Sequence, residues 1–310
     1  MNDAEYERLL SQFEEEIYQA LKAAVELTRA EFDTQQLAEA IASGNQEAIT
    51  LGLDIATDTL AANLDTALAA VFGPAFAIVG ITAATALGQP RFTPPTSATV
   101  IRDNLRYRIT RDFTSAMRQA MGVTVDSMLG RGDSPRLIAG FVGRNIGLSF
   151  NQQRSLDAFR AVLVDGLRTG NTTLPANRIR NLSASQRSVL RANLANGISE
   201  DDIDRLTNRQ RRIMFEHRAN TTARTEAVRL VNAAQQTAWE ELDRQGQING
   251  YRRFWRDARD ERVRVTHRAI SRLNPVGRGL HEPFQTPLGP VHLPPIEVNC
   301  RCRIVLAMPR

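Results

Sequence analysis

Lysine is almost missing from this 310-residue chain: Lys22 is the single example, so 38 of the 39 basic residues are arginine, a bias that a GC-rich genome produces without selection for function. Cysteine is scarce as well. Cys300 and Cys302 stand one residue apart, so they cannot staple a long loop, and a disulfide between such close neighbours would be strained; reduced thiols in a bacterial cytosol are expected. The opening segment MNDAEYERLLSQFEEE lacks a basic n-region and an apolar h-region, so export through a cleaved signal is not expected. Catalytic signatures are missing too. There is no G-x-S-x-G elbow and no G-x-x-x-x-G-K-[ST] loop. A zinc deaminase would need H-x-E with P-C-x-x-C, whereas His281 and Glu282 are adjacent and the cysteines form C-x-C. The chain is therefore not expected to be an enzyme. A cysteine nucleophile beside His267, or a metal-dependent nuclease, is what remains of that class.

What is present is a strong charge asymmetry. Residues 1–65 hold 14 acidic and three basic side chains, a balance of −11, and residues 66–310 carry +16. A basic body attracts phosphates, while an acidic arm masks that surface, extends away from DNA or binds a basic partner. The competing reading is a solvated acidic helix on an arginine-rich protein. With 42% hydrophobic residues the chain can bury a substantial core, and its length suits two or three structural units.

Within residues 3–43, Leu9, Leu10, Phe13, Ile17, Leu21, Ala24, Val25 and Leu27 recur every three or four positions, which predicts one or two amphipathic helices facing an intramolecular core. Thr66 to Pro90 contains no formal charge. At about 1.5 Å per residue such a run is long enough for a bilayer core of about 30 Å, but Gly73 and Pro74 interrupt it and alanine dominates it. A buried or interface-seeking helical hairpin is favoured, with entry into a host membrane as the alternative. The proline-rich stretch 88–99 reads as a linker. Residues 100–129 resume a helical pattern.

From 130 to 230 several short helices are expected, with N-cap signals at Ser134-Pro135, before the helix NQQRSLDAFRAVLVDGL, and at Ser183 and Ser199. Arg178, Arg180, Arg187, Arg191, Arg205, Arg209, Arg211 and Arg212 form a candidate phosphate-facing surface. An ordinary solvated helix surface competes, because no aromatic interleaving accompanies the charge. A helix over about 220–245 precedes INGYRRFWRDA, a strand candidate by its alternation. A Pro/Gly-rich excursion then leads to a last short strand, RCRIVLA. The fold class is α+β, with predominantly helical N-terminal and middle regions and a small loop-rich α+β C-terminal module. The expected divisions are 1–90, 91–219 and 220–310.

The C-terminal motifs come in a specific order: Arg224-Thr225-Glu226 and Asn232 on a helix, then Trp255, then D-E-R-V-R-V-T-H from Asp260 through Val263 and Arg264 to His267, and finally Asn299-Cys300-Arg301-Cys302. That succession resembles the C-terminal domain of the Mu F-like head-morphogenesis (minor capsid) family of tailed bacteriophages, with its R-T-E helix, tryptophan strand, D-x-x-V-R-x-x-H segment and terminal N-C-R-C. The resemblance covers roughly residues 130–307. It implies a minor structural protein of the phage head, made in the host cytoplasm and acting in head assembly, DNA packaging or DNA delivery. The implied partners are the portal or major capsid protein and packaged DNA bound without sequence preference. An ejected internal protein that inserts residues 66–90 into the host membrane is the alternative.

The same residues carry physical expectations of their own. Asp260, Arg262 and Arg264 are expected in a polar network, with arginine's planar fork bidentate to a carboxylate such as Glu226. In an extended segment Cys300 and Cys302 point to one side. His267, Cys300 and Cys302 are zinc-type ligands that His281 or His292 would complete. A packed thiol pair beside a hydrogen-bonded histidine, with no cofactor, is the default against this structural zinc.

Overall fold

The computed structural model describes residues 1–170, 180 and 182–308. Its elements are α1 (Asp3–Glu31), α2 (Thr34–Ala42), α3 (Gln46–Thr85), α4 (Ser97–Leu129), α5 (Pro135–Asn145), α6 (Phe150–Thr169), α7 (Ala184–Ala195), α8 (Glu200–Arg244), β1 (Arg252–Arg256), α9 (Val265–Leu273) and β2 (Arg303–Ala307). The fold is α+β and mostly helical, as expected. The two strands pair antiparallel, with Phe254 opposite Val305 and Trp255 opposite Ile304.

Local signals set most helix starts. Leu137 N–H donates to Ser134 Oγ at 3.4 Å ahead of Pro135, and Ser149 N–H donates to the Gln152 side chain at 3.0 Å. Ser183 and Gln186 exchange two bonds, Ser183 N–H to Gln186 Oε1 at 2.7 Å and Gln186 N–H to Ser183 Oγ at 3.1 Å. Ser199 and Asp202 make the same exchange with aspartate in place of glutamine. Each satisfies backbone donors that the first turn leaves open.

Two expectations fail. The apolar stretch is no hairpin: α3 runs unbroken from Gln46 to Thr85 with Pro74 inside it. The proline removes one backbone hydrogen bond, yet Leu64, Leu68, Phe72, Ala75, Phe76, Val79 and Ala83, all buried, continue one helical face across it. By length and composition α3 is the one helix among the described residues long and apolar enough to cross a membrane, but this face is occupied by protein. The expected break near 220 is likewise absent. Residues 200–244 contain neither glycine nor proline, and α8 is a single helix of 45 residues.

The chain divides into two compact units, Met1–Ala23 with Leu64–Ile109 and Ala219–Arg310, and Ala24–Asn63 with Thr110–Arg218. In the second unit Phe159, Val162, Leu163, Leu182, Leu190, Leu194, Ile203 and Leu206 form a core from α6, α7 and the start of α8. Elsewhere in this unit Gly147 (φ +94°) takes a conformation and space only glycine fits, since an added Cβ would stand 2.9 Å from Val25 and 3.2 Å from Phe215. Arg218 places its guanidinium 3.7 Å from the Phe113 ring centroid and donates to Gly147 O at 2.7 Å and Phe113 O at 3.0 Å. Burial pulls its pKa down to about 10.

In the first unit the core comprises Ala84, Trp239, Leu242, Ile248, Trp255, Ile270, Leu280, Phe284, Cys300, Cys302 and Ile304. Each large apolar side chain buried there contributes about 1.5–3 kcal/mol. The apolar stripe of α1 is buried here as well, through Tyr6, Leu9, Leu10, Phe13, Ile17 and Leu21. Its acidic face finds arginines of the same unit, Glu14 accepting from Arg224 at 2.8 Å and Asp3 from Arg303.

Candidate metal centre

Helix α8 supplies the frame. Thr225 and Asn232 are seven residues apart, two helical turns, and so share a face. Thr225 Oγ1 accepts the Asn299 N–H at 3.0 Å and donates to Thr221 O at 2.8 Å. Asn232, fully buried, accepts the Ile304 N–H at 2.9 Å and donates to Val228 O at 2.7 Å and Tyr6 Oη at 3.2 Å. The two side chains thus hold the backbone at Asn299 and at Ile304, on either side of the two cysteines. Asn299 itself takes φ +59°, the left-handed conformation that asparagine tolerates better than most residues. The neighbouring motif residues pair outward: Arg224 with Glu14, and Glu226 with Arg108 at 2.5 Å and Arg229 at 3.2 Å.

The expected network around Asp260 forms with a different partner. Asp260 is gripped by Arg301, at 2.5 Å and 2.6 Å, not by a link from this segment to Glu226. Arg301 comes from within N-C-R-C, so its reach back of 41 residues is invisible to local spacing. Its two hydrogen bonds hold the Asp260 carboxyl at about 2. Asp260 also accepts the Arg262 N–H at 3.0 Å, and Arg264 donates to Val298 O at 3.0 Å. Val263, half-buried, closes the turn that leads into α9, its N–H donating to Asp260 O at 3.2 Å. Trp255 packs edge-on against Phe284, ring centroids 5.3 Å apart.

At the centre His267, Cys300 and Cys302 are all buried, and their ligand atoms lie within 4.8 Å of one another. His267 Nδ1 is 3.6 Å from Cys300 Sγ and 3.4 Å from Cys302 Sγ, while Nε2 is 2.9 Å from Glu297 Oε2. The Cys302 N–H donates to Cys300 Sγ at 3.5 Å. A hydrogen bond from the Cys302 thiol brings Cys300 down, and holding that shared proton, together with burial, pushes Cys302 up. These are donor types that hold a zinc-class ion. Neither expected fourth ligand joins them: His281 is exposed and 3.5 Å from Glu240, and His292 is exposed. A cavity of about 410 Å³ opens beside the cluster, lined by Arg224, Val263, Arg264, His267, Asn299, Arg301 and both cysteines among others. Of the motif residues, Arg224, Val263, Arg264, His267, Asn299, Cys300 and Cys302 line this cavity, and Thr225, Glu226, Asn232, Trp255 and Asp260 do not.

Two contributors carried no signal strong enough to single them out. Glu297 stands three residues before Cys300, where its pairing with His267 depends on the fold. Arg253, within the strand pattern, is completely buried and donates to Gly279 O at 3.0 Å, His292 O at 3.0 Å, Gln236 Oε1 at 3.2 Å and Glu282 O. One guanidinium thereby gathers the Pro/Gly-rich excursion.

The candidate phosphate surface is reduced. Arg211 is buried, donating to Asn145 and Asn208 and lying 5.6 Å from the Phe141 ring centroid, so it does not face phosphate. Arg180, Arg191, Arg205, Arg209 and Arg212 are exposed and Arg187 is half-buried, with Arg205 paired to Asp202 at 2.5 Å and Arg212 to Glu216 at 3.9 Å. Arg178 lies outside the described residues.

Residues 185–305 match the model of a family described as Phage Mu protein F like protein. No curated protein and no solved structure matches the chain. The matched segment is shorter than the 130–307 of the sequence resemblance, and it contains the whole motif series from Arg224 to Cys302. Over residues 185–305, well under half of its length, the chain is similar to the phage Mu protein F-like family.

Proposed function

We propose that the chain is a minor structural protein of a tailed-phage head, acting in head assembly, DNA packaging or DNA delivery through contacts with the portal or major capsid protein and through non-specific binding of packaged DNA. The family match over 185–305 carries this reading. Its motif side chains support a structural rather than a catalytic role, because Thr225, Asn232 and the Asp260–Arg301 pair bond to the module's own backbone and side chains. DNA binding is supported by the exposed arginines of α7 and α8 and by the +16 balance of residues 66–310. Guanidinium contacts to phosphate read no bases, so affinity falls with salt at a log–log slope of about −0.9 per phosphate neutralised.

The deciding experiment is quantitative mass spectrometry of purified intact particles and of emptied ghosts. Presence in intact particles is expected; retention in ghosts marks a fixed head component, and loss marks ejection with the genome. Absence from both overturns the proposal. Strong preference for one DNA sequence at matched salt would overturn the phosphate-binding part alone.

A further inference from the structure

The separations around His267 are those of a tetrahedral metal site. An ion about 2.1 Å from nitrogen and about 2.3 Å from sulfur, with tetrahedral angles, sets nitrogen and sulfur about 3.6 Å apart. His267 Nδ1 stands 3.6 Å and 3.4 Å from the two sulfurs. Glu297 completes the pattern from behind. With its carboxylate 2.9 Å from Nε2, the imidazole keeps its proton on Nε2 and turns the Nδ1 lone pair towards the cysteines, the carboxylate–histidine arrangement that orients metal-bound imidazoles. The backbone N–H of Cys302 on Cys300 Sγ adds a donor suited to a thiolate.

We propose that His267 Nδ1, Cys300 Sγ and Cys302 Sγ bind one zinc-class divalent ion, with Glu297 as the positioning residue and a water from the adjoining cavity in the fourth position. Two thiolates and an imidazole select a borderline-soft ion over magnesium or calcium. Binding displaces the thiol protons to solvent, so it weakens as pH falls. The ion ties α9 to the N-C-R-C segment, which the sequence separates by 25 residues (274–298). This site stands independently of the head-protein reading, since metal content is measured on the purified chain.

The test uses the full chain and Zn²⁺ or Co²⁺ alone as probes. Wild type is expected to retain one zinc per chain after dialysis, to show cobalt–thiolate charge-transfer absorption when loaded with Co²⁺, and to lose thermal stability with a chelator. C300S and C302S abolish the cobalt–thiolate signal of a tetrahedral site, and E297Q binds zinc about 10- to 100-fold more weakly. Should the cysteine variants not fold, the wild-type measurements and E297Q decide the matter. A folded wild-type chain that takes up neither metal overturns the proposal and leaves a hydrogen-bonded thiol pair. Equal zinc in wild type and the folded double variant C300S/C302S overturns it as well.

Discussion

Replacing Arg253 by methionine keeps the apolar stem and removes every guanidinium donor, which isolates the polar role of a side chain that is 0% exposed. Four acceptors lose their partner: the carbonyls of Gly279, His292 and Glu282 and the amide oxygen of Gln236. Hydrogen bonds to a charged group contribute about 1.5–3 kcal/mol each. The four are not additive, because one side chain makes them all. Against the loss stands relief of a buried charge, whose cost shows in a pKa drawn down to about 10 with only Glu240 and Glu282 opposing the effect of burial. Removing one partner of such a buried set costs about 3–5 kcal/mol. At about 2–4 °C per kcal/mol, unfolding of this unit moves down by about 6–20 °C. Lysine at this position brings three donors from a single point, fewer than the four acceptors, so R253K falls between methionine and wild type. Both tryptophans, Trp239 and Trp255, lie in the core of this unit, so thermal unfolding followed by tryptophan fluorescence reports it directly. An R253M transition within about 1 kcal/mol of wild type refutes the argument, since no unpaired buried acceptor costs so little.

Asp157 is pushed up to about 6 by burial, against Arg131, a hydrogen bond from Gln153 and Arg160. Its ordinary value is 3.8, so between those limits the folded state binds more protons than the unfolded one and stability rises as pH falls from 7 towards 4. D157N is therefore expected to stabilise at pH 7 by up to about 3 kcal/mol and to do little at pH 4; equal effects in denaturant titrations at both values would contradict this. G147A combines a left-handed backbone cost of about 1–2 kcal/mol with overpacking of about 1–3 kcal/mol against Val25 and Phe215. The double variant V25A/G147A should recover part of the steric portion and none of the backbone portion, as read from thermal midpoints.

The legible parts of this chain were those encoded within a few residues. Ser134, Ser149, Ser183 and Ser199 cap helices because a cap and its partner lie three positions apart. The α1 stripe faces a core because its period is helical. Punctuation misled where packing overrode it: Gly73-Pro74 reads as a break, yet the buried face of α3 passes through it. The candidate site was readable as a set of residues, since His267, Cys300 and Cys302 do meet. Its supports were not, because the Asp260–Arg301, His267–Glu297 and Thr225–Asn299 links span 41, 30 and 74 positions. Arginine was the hardest residue to place. Arg211 and Arg253 look like surface charge in the sequence and are buried hydrogen-bond centres in the fold.

Tyr6 hydrogen-bonds Asn232 and lies 5.0 Å from the Arg303 guanidinium, while Asp3 pairs with Arg303 across 300 positions. On the ribosome, at about 5–20 residues per second, roughly 15–60 seconds separate synthesis of the first partner from synthesis of the last. For that interval Asp3 and the Tyr6 ring lack their Arg303 partner. A chain cut before residue 303 therefore keeps the bonds from α8 to α1 and lacks the link between its first helix and its last strand.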